Sequence, residues 1–180
     1  MASKKLKFYV IAGEASGDLL GSRLIRALKK HRPDIEFVGI VGPKMISEGA
    51  KSLYSMEKLS LHGYGFDVLK QIPSLLRMRR KLGNHFIANP PQVFIGIDAP
   101  DFNFSLEKRL KKKGISTIHY VSPSIWAWRK GRMGKIKSAV SHMLTLFPFE
   151  PVIYKDKGVK ATFVGHPLAD EIPLNPNVQE

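Results

Sequence analysis

The strongest constraint on this chain is the way short apolar runs alternate with helical patterns. Leu6 to Ala12 is one such run, and it ends at Gly13. From Asp18 to Lys30, Leu19, Leu20, Leu24, Ile25 and Leu28 then recur at helical spacing, with Arg23, Arg26, Lys29 and Lys30 on the opposite face. The unit repeats. Ile35 to Ile40, Val93 to Ile97, Ile115 to Val121, Met143 to Phe147 and Ala161 to Val164 read as strands. Phe66 to Leu82, Phe102 to Lys113 (closed by Gly114) and Phe149 to Lys157 (stopped by Gly158) read as helices. Strands that are apolar throughout are buried on both faces. The pattern therefore predicts an α/β fold, a Rossmann-like parallel sheet with helices on both faces. No internal repeat or low-complexity segment interrupts it.

A chain of 180 residues suits one domain of ordinary size. Cysteine is absent, which excludes disulfides and thiolate metal sites. The apolar run after the basic N-terminus is too short for a signal peptide, and no stretch approaches the roughly 20 apolar residues of a membrane span. These features predict a cytoplasmic chain. Lys and Arg number 29 against 15 Asp and Glu, a net charge of +14. Much of the excess lies from Lys70 to Lys81, Lys108 to Lys113 and Arg129 to Lys137. Such a field favours phosphates, nucleic acid or an anionic membrane face, although each cluster can equally be a solvated basic surface. The final segment, 172–180, has two prolines, two asparagines and no apolar period, and reads as a linker.

Between the first strand and its helix stands Ala12-Gly13-Glu14-Ala15-Ser16-Gly17-Asp18. Small residues let a ligand approach the backbone, and a helix N-terminus attracts anions. The spacing is neither the dinucleotide fingerprint nor a P-loop. The alternative is a tight turn with Ser16 or Asp18 as the helix N-cap.

The stretch FIGIDAPDFN carries Asp98 at the end of an apolar strand, where open α/β sheets bind ligands. A carboxylate there can act as a general base or hold a metal. Asp98 precedes a proline turn and is expected to be extended. Asp101 is expected to cap the helix from Phe102. In HYVSPSIWAWRKGR, Trp126 and Trp128 stand beside Arg129, Lys130 and Arg132. They could stack on bases, lie at a membrane interface or cover the sheet end. Phe66, Val68, Leu69, Ile72, Leu75, Leu76 and Met78 alternate with Lys70, Arg77, Arg79, Arg80 and Lys81. That amphipathic helix can lie on a membrane or on the sheet.

The runs IAGEASGDLLGSRLIRALK, FVGIVGPKM, VFIGIDAPDFN, IHYVSPSIWAWR, LFPFE and FVGHPLADEIPL, in this order, resemble the lipid-A-disaccharide synthase family. The resemblance implies a GT-B glycosyltransferase with a Rossmann-like half on each side of a cleft, needing no metal and no cofactor. It implies transfer of a 2,3-diacylglucosamine unit from its UDP derivative onto 2,3-diacylglucosamine 1-phosphate, at the cytoplasmic face of the inner membrane of Gram-negative bacteria. It assigns Asp98 as the catalytic base. It sets Gly13, Glu14, Ser16, Gly17, Asp18, Asn103, Ser122 and Trp126 on the substrate side of the cleft. Phe66, Val68, Leu69, Ile72, Leu75 and Leu76 would grip the membrane and the acyl chains.

The stretch His62-Gly63-Tyr64-Gly65-Phe66-Asp67-Val68-Leu69 departs from the family's usual Met-Gly followed by Glu-Val-Leu and is one residue longer. The resemblance covers the N-terminal, acceptor-side half of the family. Residues 1–171 are expected to form that domain and 172–180 the start of the interdomain linker, with the donor domain absent. Little transfer is then expected without a separately supplied C-terminal half. A non-catalytic glycolipid-binding module is the alternative. Nucleic-acid binding lacks a recognised motif and is not expected.

Overall fold

The computed structural model describes the backbone of residues 6–59, 66–124 and 130–170, and within these the side chains except at 66–69, 130 and 170. Seven strands are described: β1 (Lys7–Ala12), β2 (Glu36–Val41), β3 (Lys51–Ser55), β4 (Val93–Ile97), β5 (Ser116–Tyr120), β6 (His142–Thr145) and β7 (Lys160–Phe163). They form one sheet in the order β3-β2-β1-β4-β5-β6-β7. Every pairing in it is parallel. Helices α1 (Ala15–His31), α2 (Pro43–Ser47), α3 (Phe66–Ala88), α4 (Pro100–Lys111), α5 (Met133–Ala139) and α6 (Glu150–Lys155) connect them. This is the doubly wound, Rossmann-like arrangement expected.

Alternate strand residues feed two cores, which is why the strands are apolar throughout. Val10, Ala12, Phe37, Val41, Ile95 and Ile97 meet Leu20 and Ile25 of α1 and Met45 of α2. On the other face Tyr9, Ile11, Ile40 and Phe94 meet Leu82 and Phe86 of α3 and Leu106 and Leu110 of α4. The Tyr9 and Phe86 rings stack with centroids 4.1 Å apart. Fully burying a side chain of this size contributes about 1.5–3 kcal/mol. A third cluster joins Phe104 of α4, Ile136 of α5, Met143 of β6 and Tyr154 of α6.

Four elements differ from the sequence reading. β3 and α2 are additional. β3 is a largely exposed edge strand of Lys, Ser, Leu, Tyr and Ser, with a polar composition suited to a sheet edge. α5 lies within the basic stretch, where Ile136 and Ala139 are its only fully buried side chains. α3 runs six residues past Leu82, because Phe86 continues its apolar face. Among the described residues, no helix is long and apolar enough to cross a membrane.

Candidate functional site

The sheet order reverses between β1 and β4, the strand pair that creates a crevice beyond the carboxyl ends. Two loops meet there. The first leaves β1 at Ala12 and passes through Gly13 and an extended Glu14 (φ −144°, ψ 169°), the N-cap of α1. The helix thus opens at Ala15, earlier than a cap at Ser16 or Asp18 would allow. Its first helical hydrogen bond runs from Asp18 N to Glu14 O at 2.9 Å. The N–H groups before Asp18 have no acceptor within the helix. Glu14, Ala15 and Ser16 are exposed, whereas Gly13, Gly17 and Asp18 are buried.

Asp18 turns away from its own helix. Its Oδ2 and Oδ1 accept hydrogen bonds from the backbone N–H groups of Lys44 and Met45, each at 2.9 Å. The carboxylate is 1 % exposed and closes the N-terminus of α2. An acid at that end of a helix is stabilised by the free N–H groups and the helix dipole.

The second loop leaves β4 at Ile97. Asp98 is not extended: it takes φ +51°, and Ala99 takes φ +43°. Two successive non-glycine residues in this left-handed region each carry a strain of about 1–2 kcal/mol. The adjacent sheet overrides the local preference. The Asp98 N–H extends the β4–β5 pairing by bonding Tyr120 O at 2.9 Å. The Asp98 carbonyl accepts a hydrogen bond from Asn103 Nδ2 at 2.8 Å. Together these fix both sides of the Asp98 peptide. The carboxylate itself is half-exposed, and no hydrogen bond joins it to any described residue.

The expected capping role of Asp101 also changes. α4 begins at Pro100 after a left-handed Ala99, with no side-chain cap. Asp101 lies in the first turn and pairs with Arg132, Nη2 to Oδ1 3.0 Å. The two loops touch: a Cβ added to Gly13 would lie 3.0 Å from Ala99 Cβ. Gly13 is the residue that lets the first loop close onto the second.

Beyond β5, Val121 takes φ +83°, an outlier for a β-branched residue. Ser122 is buried, and its Oγ shares a 2.7 Å hydrogen bond with the Tyr154 hydroxyl. Burial is the main cause that pushes this phenol up to about 12. Asn103 is wholly buried. Trp126 lies outside the described residues, as do the side chains of Phe66, Val68 and Leu69. Ile72 and Leu75 are half-buried, and Leu75 packs on the core. Leu76 is exposed on α3 beside the exposed Arg77, Arg80 and Lys81. A separate groove of about 380 Å³ is lined by Arg23, Arg26, Lys30, Tyr120 and His166, among others. Among the described residues, no group of three or more His, Cys, Asp or Glu side chains could hold a metal ion.

Sequence reasoning missed Glu107 and His119, a buried pair beside Gly96 of β4, two residues before Asp98. A glutamate among Phe102, Leu106 and Leu110 on the inner face of α4 is the signal that could have found them.

A sequence model of the lipid-A-disaccharide synthetase family matches residues 8–180. The lipid-A-disaccharide synthase of Methylobacillus flagellatus is 62% identical over 170 residues, covering 94% of this chain and 45% of its own. That of Thiobacillus denitrificans is 56% identical over 165 residues, covering 92% and 44%. That of Psychromonas ingrahamii is 52% identical over 178 residues, covering 99% and 46%. The chain spans less than half the length of these curated relatives. With its Rossmann-like sheet and these relatives, the chain belongs to the lipid-A-disaccharide synthetase family.

Proposed function

We propose that this chain is the acceptor-side half of a lipid-A-disaccharide synthase of GT-B architecture, with residues 1–171 as the domain and 172–180 as the linker onward. The whole enzyme transfers 2,3-diacylglucosamine from its UDP derivative to the 6-hydroxyl of 2,3-diacylglucosamine 1-phosphate. One observation carries the reading: the Asp98 carboxylate, at the crevice between β1 and β4 and beside the glycine turn, has no hydrogen-bond partner among the described residues.

In the reaction, the acceptor oxygen forms a bond to the anomeric carbon as that carbon's bond to the diphosphate breaks. UDP leaves with the bonding pair, and the acceptor proton passes to Asp98. An α-linked donor then gives a β-1,6 product by one inverting displacement, so no covalent enzyme intermediate is required. General-base catalysis of this kind contributes about 10²–10⁴-fold. The first turn of α1 directs N–H groups that have no acceptor within the helix toward the sugar or its phosphate, a role favoured by the helix dipole. Asp18, Asn103 and Ser122 have their side chains engaged with the protein and serve by shaping the loops after β1, β4 and β5. Trp126 would flank the same cleft.

Exposed Leu76 with Arg77, Arg80 and Lys81 supports a peripheral role for α3 on an anionic membrane, with Phe66, Val68, Leu69, Ile72 and Leu75 serving acyl chains. We place the chain on the cytoplasmic face of the inner membrane. The same surface favours a second reading, a glycolipid-binding module without catalysis.

The test is disaccharide synthesis from the two substrates by this chain alone, with a C-terminal half from a family member, and with Asp98→Asn plus that half. Activity only on addition, lost in Asp98→Asn, is expected. Undiminished activity of Asp98→Asn would overturn the assignment of the base. A folded chain that binds acceptor vesicles yet never turns over favours the binding module.

A further inference from the structure

The left-handed Asp98–Ala99 turn rests on a buried polar file. Asn103, Glu107 and His119 are each 0 % exposed. Glu107 follows Asn103 by one turn of α4, so both point to the sheet. Glu107 Oε1 lies 2.7 Å from His119 Nδ1. His119 sits on β5 directly beside Gly96 of β4 in the register. Gly96 leaves the space for the file: an added Cβ there would lie 2.2 Å from Glu107 Oε1 and 3.0 Å from Cβ and Cγ of Asn103. Both α4 side chains therefore close on one glycine, two residues before Asp98. At the far end, Asn103 Nδ2 donates to the Asp98 carbonyl at 2.8 Å.

This file is an inefficient way to fill a core. Burial raises the Glu107 carboxyl above its usual range, opposed in part by His119. Asn103 Oδ1, Glu107 Oε2 and His119 Nε2 are buried without a hydrogen-bond partner among the described residues. Apolar side chains of the same volume would pack here with less penalty. Buried polar groups kept at such a cost specify geometry more than they stabilise, and strained backbone persists only where its surroundings over-determine it. The strained backbone here is Asp98 and Ala99 themselves.

We propose that Asn103, Glu107 and His119 form a brace that holds the Asp98–Ala99 turn left-handed and so aims the Asp98 carboxylate into the crevice. Asn103 is a positioning residue acting through the Asp98 carbonyl, and the Glu107–His119 pair seats it over Gly96. The catalytic consequence rests on Asp98 being the base; the structural consequence does not.

Two arms separate these. In the 180-residue chain alone, amide hydrogen exchange reads the turn directly. Asn103→Ala should speed exchange at Asp98, Phe102 and Asn103 at least about tenfold, while amides of β2 keep wild-type rates. Unchanged exchange at those three overturns the brace whatever the activity. With a family C-terminal half added, Asn103→Ala should lower kcat about 10–100-fold, the effect of a small misplacement, and leave both KM values within about twofold. Glu107→Gln, which keeps a hydrogen bond to His119, should retain activity within about threefold, whereas Glu107→Leu should fall about tenfold. Glu107→Leu at wild-type kcat, or Asn103→Ala losing only KM, overturns the positioning role. If Asp98→Asn remains active, the base assignment fails while the exchange measurement still judges the brace.

Discussion

The two loops at the crevice solve the same problem in opposite ways. Each leaves a central strand and opens a helix, and each carries two acids. In the first, Asp18 is consumed in capping α2, and Glu14 is presented to solvent. In the second, Asp101 pairs with Arg132, and Asp98 is presented. The first loop has an extended N-cap residue and small side chains, a backbone built for close approach. The second has two strained non-glycine residues fixed from below by Asn103. The contrast suggests a division of labour, in which one loop yields its backbone to a ligand and the other holds one carboxylate still.

That contrast can be broken first at the acids. Asp18→Ala removes a buried carboxylate from two backbone N–H groups. Lost capping and newly orphaned donors together should lower stability by about 2–3 kcal/mol. Asp98→Asn should change it by less than about 0.5 kcal/mol, since the carboxylate has no described partner. Urea unfolding of the two variants checks this. Equal losses would end the distinction between a structural and a presented acid.

The contact between the loops comes next. Gly13→Ala would set a methyl 3.0 Å from Ala99 Cβ, tighter than ordinary contact. Overpacking there should cost about 1–2 kcal/mol. Ala99→Gly removes the opposing methyl and accepts the left-handed backbone without strain, so the double variant should recover most of the loss. A double-mutant cycle with no coupling would mean that the loops do not meet as described.

How much of this was legible beforehand follows from the range of each interaction. The strands from Val93 to Ile97 and around Ile11 were readable because burial on both faces leaves a local apolar signature. The place of Asp98 followed, since a strand end is a local feature. Its conformation did not follow. The left-handed turn depends on Tyr120 O and Asn103, the first from a strand two elements on. The sequence offers Ser16 or Asp18 as a cap for the helix that holds them, but the Asp18 carboxylate serves Lys44 and Met45, 26 and 27 positions away. β3 was missed because an exposed edge strand needs few apolar residues. The Glu107–His119 pair joins a helix to a strand, and only the register of β4 with β5 brings it beneath Asp98.

The loop after β5 sharpens the comparison, because it too is anchored from within. Ser122 is held by Tyr154, whose hydroxyl is raised from 10.0 to about 12, chiefly by burial. The raised value fixes the sign. The neutral phenol's contribution to stability is complete below pH 10 and is lost as pH rises through about 12. Thermal melts from pH 9 upward should therefore show an alkaline loss that Tyr154→Phe reduces. Some slope should remain, because burial also raises Tyr9 and Tyr120. An unchanged slope in Tyr154→Phe would remove Tyr154 as its source.

The smallest effect belongs to the second acid of the second loop. Arg132 reaches Asp101 across 3.0 Å, but the Asp101 side chain is 85% exposed. Water screens such a pair, and ordering two side chains offsets much of the attraction, so exposed pairs contribute about 0–1 kcal/mol. Asp101→Asn should lower stability by no more than about 0.5 kcal/mol, and less in high salt. Because Asp101 neither caps α4 nor hydrogen-bonds to Asp98, kcat with the added C-terminal half should stay within about threefold of wild type. A loss as deep as that of Asp98→Asn would show that the second loop needs both acids at the crevice, and the division between a presented and a structural carboxylate would fail where it has been drawn most sharply.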